Sequence, residues 1–130
     1  MGRLGLVLAG VILGVVLSHV YQAVAEDKDN GVYVLVSAQI LEPEGLDAYA
    51  EAAAPLALQH GLEILGRIPT VPDDFVFEGE WPFEGGITIE RFESMESFRS
   101  FWNSDAYQAA IPLREGKVDF NFVVAVPAGS

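Results

Sequence analysis

A ferredoxin-like α+β domain of order β–α–β–β–α–β, with both helical regions on one face of a four-stranded antiparallel sheet, follows from three patterns in the chain. Two apolar, β-branched runs, residues 32–41 and 117–126, open and close it. Two stretches with apolar residues at three-and-four spacing, 44–60 and 95–111, read as helices. Between them, Gly85-Gly86 punctuates a segment rich in aromatic and β-branched residues, as a hairpin turn would.

Taken in order, residues 32–41 are apolar or β-branched except for Ser37 and Gln39, the pattern of a strand covered on both faces. Glu42-Pro43-Glu44 stops that strand and starts a helix, because proline suits the first helical position and acids suit the positive end of the helix dipole. The helix runs over 44–60 with an apolar stripe of Leu46, Tyr49, Ala50, Ala53, Leu56 and Ala57; Pro55 removes a backbone donor and is expected to interrupt and kink it. Gly61 ends the helix and residues 62–68 form a second strand. After a loop holding Pro69, Pro72, Asp73 and Asp74, residues 75–81 extend again and turn through Gly85-Gly86 into a return strand at 86–92. There Ile87, Ile89 and Arg91 share one face, and Thr88, Glu90 and Phe92 the other. Ser94 stands where an N-cap is wanted, ahead of a stripe of Met95, Phe98, Phe101 and Trp102. The helix breaks near Ser104-Asp105 and resumes through Tyr107, Ala110 and Ile111 to Pro112. In the final strand, 117–126, Val118, Phe120, Phe122, Val124 and Val126 alternate along one face, opposite Asp119, Asn121, Val123 and Ala125.

Helices on one face leave the other face of the sheet open, and the first and last strands carry apolar residues on both sides. A second copy is the economical cover, so a two-fold homodimer is expected.

Composition narrows function. Seven basic against 19 acidic residues give a net charge of −12, which argues against a nucleic-acid partner because phosphate binding needs a basic stripe. The absence of cysteine excludes disulfides, a thiolate nucleophile and cysteine-ligated metal centres. Residues 4–17 are an unbroken apolar run behind Arg3, and Ala23-Val24-Ala25 supplies a small–x–small cleavage pattern. Residues 1–25 are thus expected to be a signal peptide and 26–31 a linker to a domain at 32–127, placing the protein in the periplasm or outside the cell. The alternative is an uncleaved membrane anchor over residues 4–25, in which Gly10 and Gly14 could pack two helices together. Either way the domain faces outward.

The stretches Trp102-Asn103-Ser104-Asp105-Ala106-Tyr107-Gln108 and Pro112-Leu113-Arg114-Glu115-Gly116-Lys117 resemble the domain-of-unknown-function-1330 family. Tyr49, Pro55-Leu56, Gly61 and Glu78-Gly79-Glu80-Trp81-Pro82 stand at the intervals that resemblance implies, and the likeness spans roughly residues 33–127. It implies a dimeric α+β barrel, a superfamily whose members include cofactor-independent monooxygenases, lactone isomerases, haem-handling proteins and small-molecule sensors. The family itself has no settled reaction. The chain departs from the family pattern in reading Trp81-Pro82-Phe83-Glu84-Gly85-Gly86 and Gly66-Arg67-Ile68-Pro69, where relatives carry a basic residue after the Trp-Pro pair and a Gly-Gly after the second strand. An anion site built from those positions is therefore not carried over.

Candidate chemistry is sparse. His60 is the sole histidine outside the leader, so a multi-histidine metal site within one subunit is excluded. It could serve as a general base or as one axial ligand to a haem, although its place in the last helical turn reads first as a cap on unpaired carbonyls. Arg114 could clamp a carboxylate or polarised carbonyl, or simply pair with Glu115 or Asp119. Trp81, Trp102 and Tyr107 could wall an apolar pocket, against the plainer reading of core packing. Glu90 and Arg91 lie on opposite faces of one strand, so one faces the helices and the other the barrel interior; a buried charge there is the stronger lead. Asp73-Asp74 and the pair Glu78 and Glu80 read as solvated surface acids. No phosphate-loop, dinucleotide, zinc-protease or serine-hydrolase motif is present, and no cofactor or metal is expected. The reading that results is an exported homodimer that binds a small molecule, with cofactor-free oxygenation or isomerisation as its enzymatic form and His60 or a barrel-facing carboxylate as base. A non-catalytic structural dimer is the alternative.

Overall fold

Alternation of side chains across a pleated strand explains why Val32–Ile40 (β1) sits at the centre of the domain: it is apolar on both faces and pairs on both edges. In the computed structural model, which describes residues 30–129, the other strands are Glu63–Ile68 (β2), Gly86–Phe92 (β3) and Val118–Pro127 (β4). The sheet order is β2-β3-β1-β4 and every pairing is antiparallel, which is the ferredoxin-like arrangement. The expected leader, residues 1–25, and residues 26–29 of the linker lie outside the described residues. Among the described residues no helix is long and apolar enough to cross a membrane.

Three helices cover one face: Asp47–Gln59 (α1), Met95–Trp102 (α2) and Asp105–Ala110 (α3). A 3-10 turn, Glu44–Leu46, leads into α1, and another, Ile111–Arg114, leaves α3. The expected cap at Ser94 forms, and Ser104, where the helix was expected to break, caps α3. The Ser94 hydroxyl accepts from the Ser97 amide at 2.9 Å, and the Ser104 hydroxyl accepts from the Tyr107 amide at 3.1 Å, so each short helix has an otherwise orphaned donor satisfied. Val32, Val34 and Phe92 from the sheet meet Ala53, Ala57, Phe101, Tyr107 and Ala110 from the helices to form the buried core. The Phe92 ring lies 5.1 Å from Phe98 and 5.6 Å from Phe101, centroid to centroid.

Four expectations are corrected by the structure. The helix is not interrupted at Pro55, because Pro55 and Glu51, whose carbonyl loses its donor, both lie on the exposed side, where water can take the missing bond. Ala50 is exposed rather than part of the packed stripe, and Ala52 packs instead. Residues 75–81 form no strand: β2 pairs directly with β3, and the connection contains only a 3-10 turn at Asp73–Phe75. Trp81 and Phe83 fold back within that connection, the Phe83 ring packing against Phe122 at 5.6 Å. Finally, β4 does not keep one alternation. Ser37 pairs with Phe122 while Ala38 pairs with Phe120, so Asn121 is an extra, bulged residue. Val118 and Phe120 therefore face the helices, whereas Phe122, Val124 and Val126 face the other side. The Asn121 amide secures the bulge by donating to the buried Ser37 hydroxyl and to the Glu84 carbonyl, each at 3.1 Å.

Gly85 and Gly86 have a steric role where β3 enters the sheet. A side-chain carbon at Gly85 would collide with the Ala38 carbonyl, and one at Gly86 with the Ile68 carbonyl; Gly85 also holds a φ of +84°.

Candidate active site

A cavity of about 650 Å³ lies between the helices and the helix-facing side of the sheet. Its walls are largely apolar, with Val34, Val36 and Val123 from the strands and Ala53, Ala57, Phe101 and Trp102 from the helices. The exposed residues Arg67, Pro69, Thr70 and Glu84 lie on its rim. Besides Gln39, Thr88 and the rim residues, four polar side chains line it from four separate elements: Tyr49 of α1, Tyr107 of α3, Arg114 at the end of the 3-10 turn, and Glu90 of β3.

Three of the four form one cluster. The hydroxyls of Tyr49 and Tyr107 are 2.7 Å apart, and Arg114 Nη1 donates to the Tyr49 oxygen at 3.2 Å and to the Tyr107 oxygen at 3.3 Å. The guanidinium also lies 5.2 Å from the Tyr49 ring centre and 4.3 Å from that of Phe120, the ring that the Asn121 bulge turns toward the helices. Two phenols own two hydroxyl hydrogens, and one of these is used between the two oxygens. No other acceptor meets either hydroxyl among the described residues, so the second remains available, as do the Arg114 N–H groups beyond Nη1. The Glu115 or Asp119 pairing considered for Arg114 does not form. Among the described residues the cation is held by phenols and ring faces alone, with no carboxylate in salt-bridge range. Burial, reinforced by the hydrogen bond to Tyr49, raises the Tyr107 hydroxyl well above the usual tyrosine range, so it stays a proton donor at any physiological pH.

Glu90 sits between Val34 of β1 and Ile64 of β2, and no hydrogen-bond donor among the described residues engages its carboxyl. Burial pushes it from its ordinary 4.5 up to about 7, against the opposing pull of the Arg67 guanidinium. The folded protein thus holds this proton more tightly than the unfolded chain, so between about pH 4.5 and 7 the native state binds more protons and stability falls as pH rises. Above that window the penalty is constant, on the order of 3 kcal/mol. Urea unfolding of wild type and Glu90→Gln across pH 4–8 is expected to show the variant gaining on wild type through the window and exceeding it at pH 8. Parallel pH profiles for the two proteins would contradict the assignment.

Of the residues singled out in the sequence, Arg114, Tyr107 and Trp102 meet at the cavity; His60, Trp81 and Arg91 do not line it. His60 Nδ1 donates to the Leu56 carbonyl at 2.8 Å and its ring lies 6.0 Å from Phe101, the geometry of a helix-end cap away from the cavity. Trp81 packs on Phe83 at 5.0 Å, its Nε1 3.4 Å from the Gly85 carbonyl. Arg91 faces the other side of the sheet and pairs with Glu63 at 3.4 Å. Asp73, Asp74, Glu78 and Glu80 are exposed, and no group of metal-ligating side chains is found among the described residues. Sequence reasoning passed over Tyr49 and Phe120 as site residues. Tyr49 had a signal, being the one polar-tipped residue in the α1 stripe; Phe120 had none, because the bulge that places it is invisible to a count of alternation.

Solved structures share this fold. A protein of unknown function from Rhodopseudomonas palustris is 14% identical with a TM-score of 0.59, over 77% of this chain and 83% of that one. A methylated form of it gives 12% and 0.59 over 77% and 82%. A dimeric ferredoxin-like protein of unknown function from Thermobifida fusca is 13% identical, with a TM-score of 0.45 over 74% of this chain and 87% of that one. At these identities the likeness to the Rhodopseudomonas palustris protein is one of fold. No functionally curated protein matches the sequence significantly. The family model described as a domain of unknown function, DUF1330, matches residues 31–127, the whole of the sheet and its helices, and the chain belongs to that family.

Proposed function

We propose that this chain is an exported, homodimeric protein that takes up a small, largely apolar molecule bearing a carboxylate or carbonyl oxygen. The observation that carries this reading is Arg114: a half-buried guanidinium in an apolar cavity, with hydrogen-bonding capacity left over and no carboxylate partner among the described residues, in a chain of net charge −12. A surface so rich in acids offers many partners for an arginine, and one kept from them is suited to an anionic or strongly polarised oxygen brought by a ligand. A dimer with a purely structural task has no use for such a cavity.

Self-association is supported by the uncovered sheet face, where Ile89, Leu35 and Val124 form a row across three strands and Ile89, Val124 and Val126 are exposed. Export is supported by the apolar run at residues 4–17 and the Ala23-Val24-Ala25 pattern. Native mass spectrometry of the full chain, recovered after export, is expected to show a dimer of chains beginning at Glu26. Titration with phenylacetate, an apolar ring carrying one carboxylate, is expected to fill one site per subunit with Kd below about 1 mM. A monomer would remove the dimer, a retained leader would favour the anchor, and saturation absent at millimolar phenylacetate would remove the cavity reading.

A further inference from the structure

We infer that Glu90 is the base of a proton-transfer reaction on a carbonyl compound, with Arg114 and the Tyr49–Tyr107 pair holding the oxygen on which negative charge develops. This inference rests on the cavity's being a ligand site, as proposed above, and adds what is done to the ligand there.

The argument is one of juxtaposition. The cavity carries an acceptor without a donor and donors without an acceptor, on opposite walls: the Glu90 carboxyl on the sheet, and the free phenolic hydrogen and remaining guanidinium N–H groups on the helical side. The groups are near enough for the Glu90 charge to act on Tyr107. In a structural polar network they would satisfy one another, since a buried polar group left unpaired is costly. Held apart across an apolar space, they match a substrate that presents a C–H bond to one wall and its carbonyl oxygen to the other. The charged and titratable groups around Glu90 are Arg67 from β2, Tyr107 from α3 and, within the same cavity, Arg114 and Tyr49. Arg67 makes no ion pair with Glu90 within salt-bridge distance, so the carboxylate is not tied up.

The chemistry balances without a cofactor. The Glu90 carboxylate takes the proton from the carbon next to the carbonyl, the C–H electron pair becomes the carbon–carbon π bond of an enolate, and the carbonyl π pair moves onto oxygen. That oxyanion is met by the phenolic hydrogen and the guanidinium. Glu90, now a neutral acid, returns the proton either to the same carbon or to the far end of a conjugated system, giving exchange or a double-bond shift. No electron enters or leaves. A base whose proton affinity lies near neutrality suits both halves of this cycle. The substrate class is a carbonyl compound with an acidic C–H beside the carbonyl and an apolar remainder.

Phenylpyruvate supplies these features, and loss of its C3 protons in deuterium oxide can be followed by proton NMR while its binding is measured separately. Wild-type protein is expected to speed exchange at least about 100-fold over buffer. Glu90→Gln should still bind the probe, at least as tightly as wild type because a like charge leaves the cavity, and exchange it at the buffer rate. The wild-type rate should rise with pH through a near-neutral midpoint rather than the 4–5 of an ordinary carboxylate, a readout that needs no variant. Binding without accelerated exchange, or Glu90→Gln exchanging as fast as wild type, overturns the inference and leaves the ligand site standing. Failure of both phenylpyruvate and phenylacetate to bind overturns the site and the inference together.

Discussion

Arg114→Met is expected to weaken phenylacetate binding at least about 100-fold while leaving the melting temperature unchanged or higher. The first half follows from the loss of charge-assisted, potentially bidentate hydrogen bonds to a carboxylate, worth roughly 1.5–3 kcal/mol each. The second follows from what Arg114 contacts now. Its partners are two phenols already bonded to each other at 2.7 Å and the ring faces of Tyr49 and Phe120. A methionine of similar reach keeps the packing on those rings and removes a partly desolvated charge that no carboxylate among the described residues offsets. Isothermal titration calorimetry and thermal unfolding of the same preparation check both halves. A large drop in melting temperature with affinity retained would make Arg114 a structural residue and remove the anion site.

Phe92→Ala is expected to produce the largest loss of stability of any substitution considered, about 3–5 kcal/mol. Phe92 is 1% exposed, closes the helix-facing row of β3 and touches two aromatic rings of α2, so its removal leaves a cavity that the surrounding rings cannot collapse to fill. For a domain of about 100 residues that is a large share of the total, and a fall in melting temperature of more than about 15 °C should accompany it. Phe77→Ala is the matched control. Phe77 is 94% exposed, and its truncation should move the midpoint by no more than about 0.5 kcal/mol in urea. Equal effects at the two positions would contradict the assignment of the core.

The order of elements was legible because it rests on local signals: the alternation of β1, the stripe of α1, the serine cap at Ser94 and the break at Ser104-Asp105. Arg114, Tyr107 and Trp102 were legible as candidates because they stand together in one short stretch. What could not be read were the pairings across distance. Tyr49 and Tyr107 are 58 residues apart, Arg114 and Tyr49 are 65 apart, and no periodicity announces that their polar ends meet. Glu90 could be placed on the face opposite Arg91, but which face lay under the helices depended on the tertiary arrangement. The strand expected at residues 75–81 failed for a related reason. Alternating Phe75, Phe77 and Trp81 satisfy the pattern of a strand, yet an extended segment becomes one only where a partner edge is free, and β2 had already taken that of β3.

The Asn121 bulge makes the site sensitive to parity. Side chains of a strand swap sides with every residue gained or lost. Upstream of the bulge β4 sends Phe120 beneath Arg114; downstream it sends Phe122 to the other side of the sheet, against Phe83. Deleting Asn121 would leave a regular strand with Phe120 still under the guanidinium and Phe122 and Val124 still on the other side, whereas flattening the bulge with Asn121 retained would put Phe120 and Phe122 on one face. A single residue gained or lost elsewhere in β4 would turn one side of the strand over, so among related proteins a one-residue change of length in this strand should fall at the bulge itself. The length of the strand carries as much of the site's specification as the identity of any residue in it.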